Sequence, residues 1–170
     1  MAKKYKYLII HCSATYEGVD IRPEQIREWH MGENGRNWSR VGYSDIITID
    51  GALHNFHFAK GSNPYDDMIE NSEMTWGVKG QNQVSKHICY IGGLDRDKEP
   101  KNTLTPEQEE TLEVYIKHEI LRHPDILIAG HNQFSRKACP SFYVPDLMRD
   151  CFGIDNKNLF NENPHNRGGY

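Results

Sequence analysis

From Tyr5 to Cys12 the chain reads Tyr-Lys-Tyr-Leu-Ile-Ile-His-Cys, a nearly continuous apolar run that ends on a histidine and a cysteine. A strand with one wet face alternates apolar and polar residues. A run that does not alternate belongs in the middle of a sheet, covered on both faces. This segment therefore calls for a central sheet with layers packed on it, and it sets His11 at the end of a rigid strand.

The remaining elements fit that demand. Pro23 opens a helix with Ile26, Trp29 and His30 at helical spacing and Gly32 as its stop. Val41 to Asp50 reads as a second strand, and Asp50-Gly51 is a hairpin signal. Leu53 to Gly77 is irregular, aromatic and His-rich first and polar around Pro64 later. It reads as a long loop, with or without a short strand, of a length that tends to carry function. His87 to Gly93 is a third strand. Thr105-Pro106-Glu107-Gln108 forms a capping box, and Leu112, Tyr115, Ile116 and Ile120 continue one apolar helical face until Pro124. Ile126 to Gly130 is another buried strand, directly before His131, and a short helix from about Pro145 to Phe152 stops at Gly153. The expectation is α/β: a single mixed central β-sheet flanked by helices over residues 1–153, then a polar, poorly ordered tail over 154–170.

Composition narrows the function classes. The 170 residues suit one core, and 37% apolar with 26% charged residues is the balance of a globular chain. A formal charge of −4, with no basic run beyond Lys3-Lys4, argues against nucleic acid as partner. No apolar stretch is long enough for membrane insertion, and Leu8–Ile10 is too short for a signal-peptide core. The expectation is a monomer, cytoplasmic as synthesised. Four cysteines in such a chain are not a disulfide framework. Cys12, Cys89 and Cys151 read as small buried hydrophobes. Cys139 differs, two residues after Lys137 and directly before Pro140.

Zinc takes imidazole nitrogen and thiolate, and a catalytic zinc site keeps three protein ligands and an open fourth position. His11 ends the first strand, His131 follows the last, and Cys139 lies eight residues further on, where a nearby cation favours the thiolate. A lone histidine at a strand end is more often a hydrogen-bonded structural residue, so spacing by itself leaves both readings open. His54 and His57 could share a metal on a helix, but with Phe56 and Phe58 interleaved they read as a wall segment. His30, His87, His118, His123 and His165 are assigned helix or surface positions with no metal role. Cys12 beside His11 makes a poor nucleophile pair, because adjacent strand residues point to opposite faces.

Five segments carry a resemblance: Ile10-His11-Cys12-Ser13-Ala14-Thr15, Val41-Gly42-Tyr43, Ile49-Asp50-Gly51, Ile91-Gly92-Gly93-Leu94-Asp95 and Lys137-Ala138-Cys139-Pro140-Ser141-Phe142. In this order, across roughly residues 5 to 150, they resemble the type 2 N-acetylmuramoyl-L-alanine amidases; the first and last are the specific ones. The resemblance implies that fold, with Zn2+ held by His11, His131 and Cys139, and Tyr43 and Lys137 as the family's catalytic tyrosine and lysine. It implies a peptidoglycan or muropeptide substrate, cut between the lactyl group of N-acetylmuramic acid and the L-alanine of the stem peptide. An endolysin of phage or prophage origin, or an enzyme of cell-wall turnover, would do this. The alternative is a muropeptide-binding module with the same fold and no turnover; such proteins usually lose the cysteine ligand, which this chain keeps.

Two positions depart from a phage member of the family. It has a histidine after the tyrosine, where this chain has Ser44. It has another two residues before the lysine matching Lys79, where this chain has Gly77. The first reads as a packing change. The second leaves a role in the cleft missing or replaced. Trp38 and Trp76, with the 53–77 segment, are expected to shape the groove that recognises glycan or peptide.

Overall fold

The computed structural model describes residues 1–56 and 66–162. In chain order the elements are β1 (Lys3–Lys4), β2 (Tyr7–Cys12), β3 (Thr15–Tyr16), α1 (Pro23–Met31), β4 (Asp45–Ile47), β5 (Leu53–Asn55), β6 (Met68–Ile69), β7 (Ser85–Tyr90), β8 (Gly93–Leu94), α2 (Pro106–Arg122), β9 (Leu127–Gly130) and α3 (Val144–Asp150). Five strands form the central sheet in the order β5-β4-β7-β2-β9. Strands β4, β7, β2 and β9 run parallel, and β5 pairs antiparallel with β4 at the edge. The sheet is thus mixed, as expected, and β2 lies inside it with every residue buried.

Alternation along β2 divides the core into two layers. Leu8, Ile10 and Cys12 join Ile47, Ile88, Tyr90 and Ile128, packed against Leu112 and Ile116 of α2 and Val144 and Met148 of α3. Tyr7 and Ile9 face the other way, toward Val78, while Ile46 and Cys89 on that side pack on Ile26 of α1. His11 belongs to this second face. Helix α2 begins with the expected capping box: Thr105 Oγ1 accepts the Gln108 N–H, and Gln108 Oε1 accepts the Thr105 N–H. The buried Gln108 amide also donates to the carbonyls of Ile47 and Ile91, which ties the helix start to two strands.

Several boundaries differ from the sequence pattern. Pairing in the second strand covers only Asp45–Ile47. Before it, Gly42 turns its N–H into Nδ1 of His30, which holds 41–43 toward α1, and Ser44 rejoins the sheet through its N–H to the His87 carbonyl. The third strand ends at Tyr90. Gly92 and Gly93 have φ of 138° and 104°, and the chain then pairs β8 with β3. Cys151, expected among the buried cysteines, is exposed at the C-terminal cap of α3, past the helix's buried Val144 and Met148. The loop expected over 53–77 contains β5 and β6, and β6 pairs with β1. His57 and Phe58 lie outside the described residues.

The packed unit also runs past Gly153. Ile154 and Leu159 are buried, Leu159 bridges to Ile128, and Phe160 stacks on Phe134 at 5.0 Å. The Asn158 amide donates to the carbonyls of Pro124 and Ile126 at 2.8 and 3.0 Å. Polar composition suggested a solvated tail, yet these side chains satisfy backbone groups beside the edge strand β9. Among the described residues no helix is long and apolar enough to cross a membrane. Leu159→Ala is expected to cost about 2–4 kcal/mol, seen as a lower midpoint in thermal unfolding; a solvated tail would leave the midpoint unchanged.

Candidate metal centre

Strand register assembles the centre. Ile10 pairs with Gly130, so the residue that follows each strand pair is delivered side by side: the rings of His11 and His131 lie 4.7 Å apart. The third member comes from the loop after β9, which is clamped at several points. Asn132 N–H donates to the Cys139 carbonyl at 2.7 Å, Tyr90 Oη–H to the Pro140 carbonyl at 2.8 Å, and Ser141 Oγ–H to the Gly93 carbonyl at 2.7 Å. These bonds bring Cys139 Sγ to 3.7 Å from His11 Nδ1 and 3.2 Å from the backbone N of Cys12.

One donor atom each from His11, His131 and Cys139 lies within 4.8 Å of the other two. The donor set is the imidazole and thiolate chemistry that zinc prefers. With Zn–N and Zn–S distances of about 2.05 and 2.3 Å, a tetrahedral ion separates nitrogen from sulfur by about 3.6 Å. The 3.7 Å between His11 Nδ1 and Cys139 Sγ fits that edge. The residues present therefore suit a zinc ion.

The electrostatics favour neutral imidazoles. Burial holds His11 well below the ordinary imidazole range, and His131, His87 and Lys137 push it the same way. Burial, then the Lys137 charge, lowers His131 to about 4. Lys137 itself is exposed on the rim of the centre. Burial pushes the Cys139 thiol up, while the Cys12 N–H pulls it down. Tyr43 is half-buried with its ring 5.0 Å from that of His11. Burial and the neighbouring thiols of Cys89, Cys139 and Cys12 raise it, so its hydroxyl stays protonated. All five site residues inferred from the sequence thus lie in one region: three converge on a point, Tyr43 stands beside them and Lys137 at the rim.

An aromatic chain leads away from the centre. Tyr43 meets His30 edge-on at 5.1 Å, His30 stacks on Trp38 at 5.1 Å, and Trp38 meets Trp76 at 6.2 Å. The Arg36 guanidinium lies over Trp38.

Sequence reasoning missed His87. It is neither on a helix nor at the surface: it is fully buried on β7, and its Nδ1 lies 3.0 Å from His11 Nε2. His30 and His123 are likewise buried. The one available signal for His87 was Gly77, whose missing side chain leaves the space that the His87 ring fills.

No protein-family model matches the chain. Sequence relatives do. The endolysin of Enterobacteria phage K11 is 36% identical over 141 residues, 82% of this chain and 81% of that protein. The endolysin of Escherichia phage T7 is 31% identical over 142 residues, 84% of this chain and 82% of that protein. Among solved structures, the N-acetylmuramoyl-L-alanine amidase LysC from Clostridium intestinale shares the fold with a TM-score of 0.65 at 17% identity, covering 91% of each chain.

His30 makes the centre's surroundings sensitive to acid. Burial and the Arg36 charge lower it to about 4 from 6.5. As pH falls, the unfolded chain takes up this proton first. The stability held by neutral His30 is full above about pH 6.5 and is lost as pH falls toward 4. At about pH 5 the loss from His30 alone is on the order of 2 kcal/mol. In chelator, where metal does not contribute, the unfolding midpoint of a His30→Asn variant is expected to fall less between about pH 8 and pH 5 than that of the parent. Equal slopes would show that His30 is not held neutral.

Proposed function

The chain belongs to the type 2 N-acetylmuramoyl-L-alanine amidase family, and on that premise we propose that it is a zinc-dependent, endolysin-type hydrolase of peptidoglycan. The bond cut is the amide between N-acetylmuramic acid and L-alanine. The observation that carries this reading is the convergence of His11, His131 and Cys139 beside Tyr43, in a chain that matches phage endolysins over most of its length.

His11, His131 and Cys139 would hold the zinc ion. Bound there, zinc would act as a Lewis acid toward the scissile carbonyl and make water a better nucleophile near neutral pH. The chain's own groups divide the remaining work. The two imidazoles stay neutral and keep their lone pairs available for the cation. The Cys12 N–H stabilises negative charge on Cys139 Sγ. Tyr43 keeps its hydroxyl proton and offers it to the oxyanion that develops on the carbonyl oxygen, while the Lys137 ammonium adds positive charge at the rim. The Trp38 and Trp76 rings, continuous with Tyr43 through His30, would line one wall of the groove that takes glycan or peptide. Synthesis in the cytoplasm followed by action on the cell wall is the setting that an endolysin implies.

The test is direct. Purified protein incubated with sacculi is expected to release new L-alanine amino termini; chelator should stop the release and added zinc restore it. Cys139→Ser should lose both metal and activity. Tyr43→Phe should keep the metal and lower kcat by about 10²–10³. No new amino termini in the presence of zinc would sink the reading, and tight muropeptide binding without turnover would make the chain a recognition module instead.

A further inference from the structure

We propose that His87 positions the metal ligand His11, accepting its Nε2–H so that Nδ1 is left for the cation. This rests on the zinc reading above. Neutral imidazole has one N–H and one lone pair. Nδ1 is the His11 nitrogen that faces Cys139 Sγ, so a metal-bound His11 must carry its hydrogen on Nε2. His11 is 1% exposed, which leaves that hydrogen no route to bulk water. Nδ1 of His87, at 3.0 Å, is the acceptor.

The surroundings of His87 are built around this pairing. The β2–β7 register places Ile9 opposite His87 and His11 opposite Cys89, so His87 and His11 share one face of the sheet, two residues apart in register on neighbouring strands. A Cβ at Gly77 would lie 2.4 Å from His87 Nδ1 and 2.5 Å from its Cγ, so the ring fits only against glycine. Ser44 donates both its N–H and its hydroxyl to the His87 carbonyl, at 2.9 and 2.8 Å. The two positions at which this chain departs from the phage member compared above, Ser44 and Gly77, therefore both touch His87. The pairing also has a direction. If His87 accepts at Nδ1, its own hydrogen sits on Nε2, which has no partner among the described residues. A buried group left unsatisfied in this way asks for a reason, and orientation of a metal ligand is one. Histidine ligands commonly donate their outer N–H to a carboxylate or carbonyl. A neutral imidazole in that place adds no negative charge, so the Cys139 thiolate is the ligand set's single anion.

Two variants separate positioning from packing. His87→Phe keeps the ring and removes the acceptor. His87→Asn places Oδ1 on the branch that held Nδ1. Zinc dissociation constants come from chelator competition, with unfolding in chelator as the check on the fold. His87→Phe is expected to bind zinc about 10–100-fold more weakly, and His87→Asn to recover most of that loss. In zinc-loaded, 15N-labelled parent protein, NMR should place the His11 hydrogen on Nε2 and detect coupling across the hydrogen bond to His87 Nδ1. His87→Phe with zinc affinity within about two-fold of the parent, or a His11 hydrogen on Nδ1, would overturn the proposal. If His87→Phe does not fold, the NMR result and His87→Asn decide it. A parent protein that takes up no zinc at all would overturn the metalloenzyme reading itself.

Discussion

The parallel pairing of β2 between β7 and β9 is the constraint on which the centre depends. Parallel strands that begin together end together, so the residues at their ends are presented at one edge of the sheet. His11 is the last residue but one of β2, and His131 follows the β9 residue that pairs with Ile10. Neither imidazole needs a long side chain or a flexible loop to reach the other. Only Cys139 arrives on a loop, and that loop is held to the sheet by bonds from Tyr90 and Ser141 and to itself by Asn132. A slip of one residue in β2 would turn His11 into the α2–α3 core and Cys12 toward α1. Burial of Leu8, Ile9 and Ile10 on both faces makes that slip costly.

The electrostatic character of the centre follows from what packs around it. His11, His131 and His87 are desolvated together, and the charges acting on them come from one another, from Lys137 and, at His11, from His30. Such a site disfavours protons and suits a divalent cation bound with a single thiolate. Stability is given up in acid in return, since each buried neutral imidazole opposes folding once the unfolded chain is protonated. The same burial that keeps the imidazoles neutral keeps Tyr43 protonated, one cause acting on groups of opposite sign.

Much of this was legible in the sequence. The Tyr5–Cys12 run required a buried central strand, Thr105–Gln108 marked a helix start, and the segments around His11 and Cys139 identified the three donors. What escaped depended on pairing between distant residues. His87 looks like any strand histidine until the register sets it beside Ile9 and the ring is seen to occupy the space at Gly77, ten residues earlier. Gly77 by itself reads as a loss, when the imidazole next to His11 is supplied from β7. Val41–Tyr43 has strand composition, but the Gly42 N–H is directed to His30 instead of to a neighbouring strand. Asn158 reads as tail polarity, though its amide satisfies two carbonyls next to β9.

The wall and the metal centre are not independent. His30 touches Tyr43 with one edge and Trp38 with its face, and it also fixes the 41–44 segment that carries Tyr43. Ser44, at the end of that segment, binds the His87 carbonyl, and His87 meets His11. A continuous set of contacts thus runs from the Trp38 face to the His11 ring through groups that are buried or half-buried and have one good partner at each step. A displacement of Trp38 would press on the segment that carries Tyr43 and bonds the His87 carbonyl. The aromatic wall and the centre thus share one short segment, 41–44, which the Gly42 N–H anchors to a neutral His30.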